Sequence, residues 1–181
     1  TITGQIVATA TVPADAVITD RLLFYDNSGF DGGPGIDAGD SAAIPTSKTA
    51  YLPGDGTITS ASMSSYSRGL NGIVYEFAGA HGTLTLADFE FSMPNTQLGV
   101  AAPDPIAFAV ISDTPVAGTD RVEFIWADNA IENRYLEVTV KGNDAAGGFN
   151  INTGLASSDI FYFGNIIGDT FNDAAPTVWL T

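Results

Sequence analysis

Ile73-Val74-Tyr75-Glu76-Phe77 is a run of β-branched and aromatic residues interrupted by one carboxylate, and its period decides the fold. In a strand, successive side chains point to opposite faces, so Tyr75 and Phe77 share one face and Glu76 takes the other. The same phase recurs over residues 121–126, where Val122 and Phe124 flank Glu123. Residues 17–25 end in the apolar group Leu22-Leu23-Phe24-Tyr25. Residues 6–11, 57–63, 83–86, 107–111, 135–140 and 160–163 read as further short strands, separated by Gly, Pro, Asp and Asn. Single helical turns are expected at Leu86-Ala87-Asp88-Phe89 and Ala130-Ile131-Glu132-Asn133. Nine prolines and twenty glycines break most other windows. Alternating strands need a second layer to cover their apolar face, which predicts an all-β, antiparallel two-sheet sandwich, of jelly-roll type. A single barrel is the next choice. At 181 residues, residues 1–181 read as one domain with a peripheral tail at 170–181.

The charge is unusual in kind. Of 21 acidic residues, sixteen are Asp and five are Glu, against six Lys and Arg, for a net charge of -15. Glu favours helices, whereas Asp caps turns and offers a short, hard oxygen donor. Such a balance argues against nucleic acid and anionic membrane as partners; it allows a cation, a neutral sugar or a basic protein. With no cysteine, disulfides, Cys-zinc sites and thiol nucleophiles are impossible. Many Asp and Thr with few Lys point to an exported bacterial protein, secreted or at the cell surface, its leader already removed. No apolar run is long enough to cross a bilayer, so membrane insertion is not expected.

The acid is densest over residues 26–40, Asp-Asn-Ser-Gly-Phe-Asp-Gly-Gly-Pro-Gly-Ile-Asp-Ala-Gly-Asp. Asp26, Asp31, Asp37 and Asp40 are candidate metal ligands, and five glycines allow the chain to curl around them. Calcium takes six to eight oxygens in irregular geometry and suits such a loop better than magnesium, which demands a tighter octahedron. The spacing is not that of an EF-hand: Phe30 falls where an oxygen donor belongs and no Glu closes the loop. The competing reading is a solvated loop held by Asx-turns.

Catalytic patterns are thin. His81 is the single histidine and reads as a general base or as a turn residue, and no Gly-x-Ser-x-Gly elbow is present. A carboxylate pair drawn from Glu76, Glu90, Glu123 and Glu137 would suit glycoside hydrolysis, but each also fits the outward half of an alternating strand. The chain therefore reads as a non-enzyme with no catalytic residue assigned. For binding, the best cluster is Trp126 with Tyr135 as an aromatic platform and Asn129 with Arg134 as orienting groups; Tyr66 and Trp179 are further aromatic candidates. Trp126 and Tyr135 also fit a cross-strand core pair. In the glycine-containing loop 66–72, Arg68 reads as neutralising a carboxylate of the 26–40 loop, and Lys48 as playing a similar part.

Several segments together resemble a β-rich module of large exported bacterial proteins, one often found near dockerin-type calcium repeats. They are Leu23-Phe24-Tyr25 through Phe30-Asp31-Gly32, Ser65-Tyr66-Ser67-Arg68-Gly69-Leu70-Asn71-Gly72-Ile73, Gly82-Thr83-Leu84-Thr85, Trp126-Ala127-Asp128-Asn129-Ala130-Ile131, and Ile160-Phe161-Tyr162-Phe163-Gly164-Asn165-Ile166-Ile167-Gly168. The resemblance spans residues 22–168 and implies an exported, multidomain context. Dockerin repeats themselves are absent, so none of their ligands carries over. The expectation is a calcium-stabilised extracellular accessory module that binds carbohydrate; a structural or adhesive protein-interaction module and a glycoside-active enzyme are the alternatives.

Overall fold

The computed structural model describes residues 16–94 and 100–168. Two β-sheets face one another. The first has four antiparallel strands in the order β1 (Val17–Phe24), β3 (Gly72–Ala78), β7 (Thr119–Ile125), β6 (Ala107–Ile111). The second has five, in the order β2 (Met63–Ser64), β9 (Asp159–Asn165), β8 (Tyr135–Val140), β4 (Phe89–Met93), β5 (Val100–Ala101). Its β2–β9 pair is parallel and the rest are antiparallel. The architecture is an all-β sandwich.

Period-two alternation builds the layer between the sheets. In β3 and β7 the registers Tyr75↔Val122 and Ile73↔Phe124 place apolar side chains opposite one another. From the facing sheet come Leu136, Val138, Phe161, Phe163 and Phe89. Tyr75 stacks on Phe161 at 6.1 Å between centroids, and Phe89 meets Phe124 edge-on at 4.8 Å, both favourable aromatic geometries.

Some expected elements fall differently. Residues 83–86 form no strand: Thr85 and Asp88 make a reciprocal capping box around the 3-10 turn Leu86–Asp88, and Gly82 N–H bonds Asn152 O instead of a ladder partner. The strand lies just beyond, in β4, where Phe89, Phe91 and Met93 alternate with Glu90 and Ser92. Over 57–63 only Met63 pairs, because Thr59 caps the 3-10 turn Ser60–Ser62. Residues 130–133 are not helical: Asn129 and Asn133 take left-handed φ values of 64° and 51°. Residues 6–11, the tail 170–181 and Trp179 lie outside the described residues. Among the described residues no helix is long and apolar enough to cross a membrane.

Glu76 and Glu123 do point to the outer side of their sheet, but outward does not mean exposed. The outer face of the four-stranded sheet is covered too: Ile36, Ala43 and Ile44, from the segment after β1, pack on Phe24, Val74 and Ile125. Glu76 and Glu123 are buried beneath that cover.

Candidate functional site

The segment leaving β1 forms a loop whose apolar residues hold it against the sheet while Asp26 and Asp40 turn inward, Asp31 is half-buried and Asp37 is exposed. Asp26, Asp31 and Asp40 each offer an oxygen within 4.8 Å of the others. Asp40 is fully buried and Asp26 nearly so. The loop's own N–H groups wrap these acids: Asn27 N and Gly32 N donate to Asp31 at 2.5 and 2.9 Å, Gly35 N to Asp26 at 2.8 Å, and Asp37 N to Asp40 Oδ2 at 2.9 Å. Asx-turn bonding is thus present. It leaves Asp40 Oδ1 buried with no partner, and a buried unpaired carboxylate oxygen is costly unless a proton or cation answers it. Asp37 is not one of the three, though it neighbours them; its Oδ1 accepts Gly39 N–H at 2.5 Å.

Beneath the loop lies a polar seam. Asp40 is the neighbour whose charge acts most strongly on Glu123 of β7, and Glu123 Oε2, like Asp40 Oδ1, is buried with no donor. Arg121 anchors the seam: Nε and Nη2 donate to Glu76 Oε1 at 2.8 and 2.6 Å, Nη1 donates to Ser41 Oγ at 2.7 Å, and Glu123 Oε1 lies 3.5 Å away. Burial pushes the Asp40 carboxyl up to about 6, with the charges of Asp31 and Asp37 adding to it and the Asp37 N–H opposing. Burial and then repulsion by Asp40 push Glu123 up to about 7, against the pull of Arg121. Burial also raises Asp26, opposed by the Gly35 N–H. The site therefore offers two ways to quiet its charge: a shared proton between Asp40 and Glu123, or a cation between Asp40, Asp31 and Asp26.

Loop 65–71 is latched to the acidic loop through one carbonyl. Asp26 O accepts from Asn71 Nδ2 at 2.9 Å and Tyr66 Oη at 3.2 Å. Arg68 does not pair with a carboxylate of the 26–40 loop; it bonds Asp128, which also accepts from Asn71 Nδ2 at 3.0 Å. Asn129 is exposed in a left-handed turn whose N–H bonds Arg68 O. Lys48 Nζ donates to Ser60 O.

The expected aromatic platform does not form. Trp126 is buried, donates Nε1–H to Pro103 O at 2.8 Å and meets Phe91 edge-on at 5.0 Å. Tyr135 is buried in its turn and packs over Gly164. A ring covered on both faces cannot stack a sugar, so the core-pair alternative describes these two residues. Arg134 is exposed, but no open aromatic ring stands with it in that cluster.

The candidate catalytic groups are similarly engaged. Glu76 is held by Arg121, and Glu137 accepts from Ser92 Oγ and Tyr162 Oη. His81 is oriented, contrary to its sequence neighbourhood: Nε2 lies 2.9 Å from Asp120 and the ring meets Phe77. Ser112 also bonds Asp120, so the carboxylate stands between serine and histidine. A nucleophile relay needs the histidine in the middle.

Sequence reasoning missed Glu123, Arg121 and Asn71 as partners of the loop. A signal existed: Leu22-Leu23-Phe24-Tyr25 and Ile73-Val74-Tyr75 are apolar on both parities, the mark of strands covered on both faces. Comparison with family models, curated proteins and solved structures finds no match.

Proposed function

We propose that this chain is a calcium-stabilised accessory module that binds carbohydrate outside the cell, as one part of a larger exported bacterial protein, and that it is not an enzyme. The observation that carries the reading is Asp40 Oδ1, buried with no hydrogen-bond donor, on a residue that belongs to a group of three carboxylates. Calcium–oxygen distances are about 2.3–2.6 Å, so oxygens on opposite sides of one ion stand roughly 5 Å apart, a span matched by this group. An irregular, glycine-rich loop also tolerates the variable coordination of calcium better than the strict octahedron of magnesium. Asp26, Asp31 and Asp40 would hold the ion, and Asp37 would shape the loop. Its work would be structural, joining the loop to the sandwich and making cation binding part of folding stability. The resemblance to modules of exported multidomain proteins and the strongly acidic, cysteine-free composition support the extracellular setting.

The test is thermal unfolding after EDTA treatment, with calcium titrated back to millimolar levels and magnesium as control. Saturation about a hundredfold above the dissociation constant adds about 2.7 kcal/mol, which for a domain of this size raises Tm by roughly 5–10 °C. Asp40→Asn should remove most of that rise. A Tm indifferent to both chelator and calcium would overturn the proposal.

A further inference from the structure

We propose that the open cleft between residues 25–30 and 65–68 binds neutral sugar rings, with Phe30 as the stacking platform. This deepens the carbohydrate reading above and rests on it. Among the described residues Phe30 is the most exposed large apolar side chain, at 77 % of its surface. Its backbone is held in a turn of the acidic loop: Phe30 N–H bonds Ser28 Oγ at 3.3 Å, and Asp31 N–H bonds Ser28 O. A solvent-facing ring on a hydrogen-bonded turn is an aromatic surface open to a ligand.

The cleft has a volume of about 590 Å³, within the roughly 300–1,000 Å³ common for small-ligand sites. Tyr25 and Tyr66 lie together on it with ring centroids 4.8 Å apart, and Asn27, Ser67 and Arg68 supply polar groups beside them. Aromatic carbon beside amide and hydroxyl groups suits the apolar face and hydroxylated rim of a pyranose. Charge selects a neutral one. Asp26 and Asp31 adjoin the lining residues Tyr25, Asn27 and Phe30 along the chain, the net charge is -15, and Arg68 is already paired with Asp128. Because Tyr66 Oη bonds the carbonyl of Asp26, a cation held by that residue would stiffen the cleft from behind.

The experiment is affinity gel electrophoresis of the whole chain in gels containing xyloglucan, galactomannan or hydroxyethyl cellulose, with alginate as the anionic control. Thermal unfolding with and without calcium is measured on the same samples. The expected result is retardation by at least one neutral polysaccharide and not by alginate. Phe30→Ala should weaken it roughly tenfold or more, Phe30→Trp should retain it, and both variants should keep the wild-type calcium response. Wild-type retardation that Phe30→Ala leaves unchanged would overturn the cleft and leave carbohydrate binding standing elsewhere on the surface. No retardation by any neutral polysaccharide, or retardation by alginate alone, would overturn the proposal and favour a protein-interaction surface. A calcium response seen in that same protein would show that the cation reading survives independently.

Discussion

Asp40 and Glu123 are both buried in the seam between the acidic loop and the sheet, and each is pushed upward chiefly by burial. An acid whose folded value lies above its unfolded value holds its proton in the native state after the unfolded chain has released it. The stability it contributes is therefore lost as pH rises from the unfolded value toward the folded one. For Asp40 that window runs from 3.8 to about 6, and for Glu123 from 4.5 to about 7. Metal-free protein should accordingly lose stability progressively from about pH 4 to about pH 7. Glu123→Gln removes one member of the pair, so in EDTA its decline over that window should be shallower. At about pH 7.5 it should exceed the wild type by on the order of 1–2 kcal/mol, below the full single-site value because the two groups share their repulsion. Urea unfolding of both proteins at the two ends of the window measures this. Parallel curves would show that the seam carries no such strain.

The acidic loop works as an element because its glycines differ in what surrounds them. A Cβ on Gly39 would stand 2.3 Å from Gly32 N and 2.9 Å from carboxylate oxygens of Asp31 and Asp37, whereas one on Gly33 would meet nothing within 4 Å. Gly39→Ala should thus force the loop open, costing about 1–3 kcal/mol and reducing the calcium response, while Gly33→Ala should stay within about 0.5 kcal/mol of wild type. Chemical unfolding of the two variants with and without calcium separates them; equal effects would mean the loop is held by something other than this close approach. The sequence revealed the acidic loop and the inward faces of β3, β7 and β8, because a period of two is local information. It could not say what lies over the outward face. Glu123 and Arg121 look solvated by alternation alone, but the segment that packs Ile36, Ala43 and Ile44 on Val74 and Ile125 also covers that face, and both are buried. Trp126 misled for a related reason: a strand end beside Asp128 and Asn129 looks like a surface platform until Pro103 and Phe91 close over it.

On the scale of the whole molecule, -15 charges on 18.8 kDa give a general self-repulsion that any electrolyte will screen. A thermal gain on adding calcium could therefore arise from screening rather than from a site, and the two differ in dose and in residue dependence. Raising NaCl from about 10 mM to about 200 mM shortens the screening length from roughly 30 Å to under 10 Å, which should raise Tm by a few degrees in wild type. Asp40→Asn removes one of many charges and should keep nearly all of that gain. A bound ion instead acts at a concentration set by its dissociation constant and should show saturation. It should also depend on Asp40, because the variant removes that group's negative charge and replaces one of its two oxygens with an amide NH2. Thermal unfolding over a grid of NaCl and calcium concentrations with both proteins distinguishes the mechanisms: a sodium response common to both and a saturable calcium response confined to wild type place the effect at the loop. If calcium merely tracks ionic strength in both, the three carboxylates are held by their own N–H bonds and by the proton between Asp40 and Glu123.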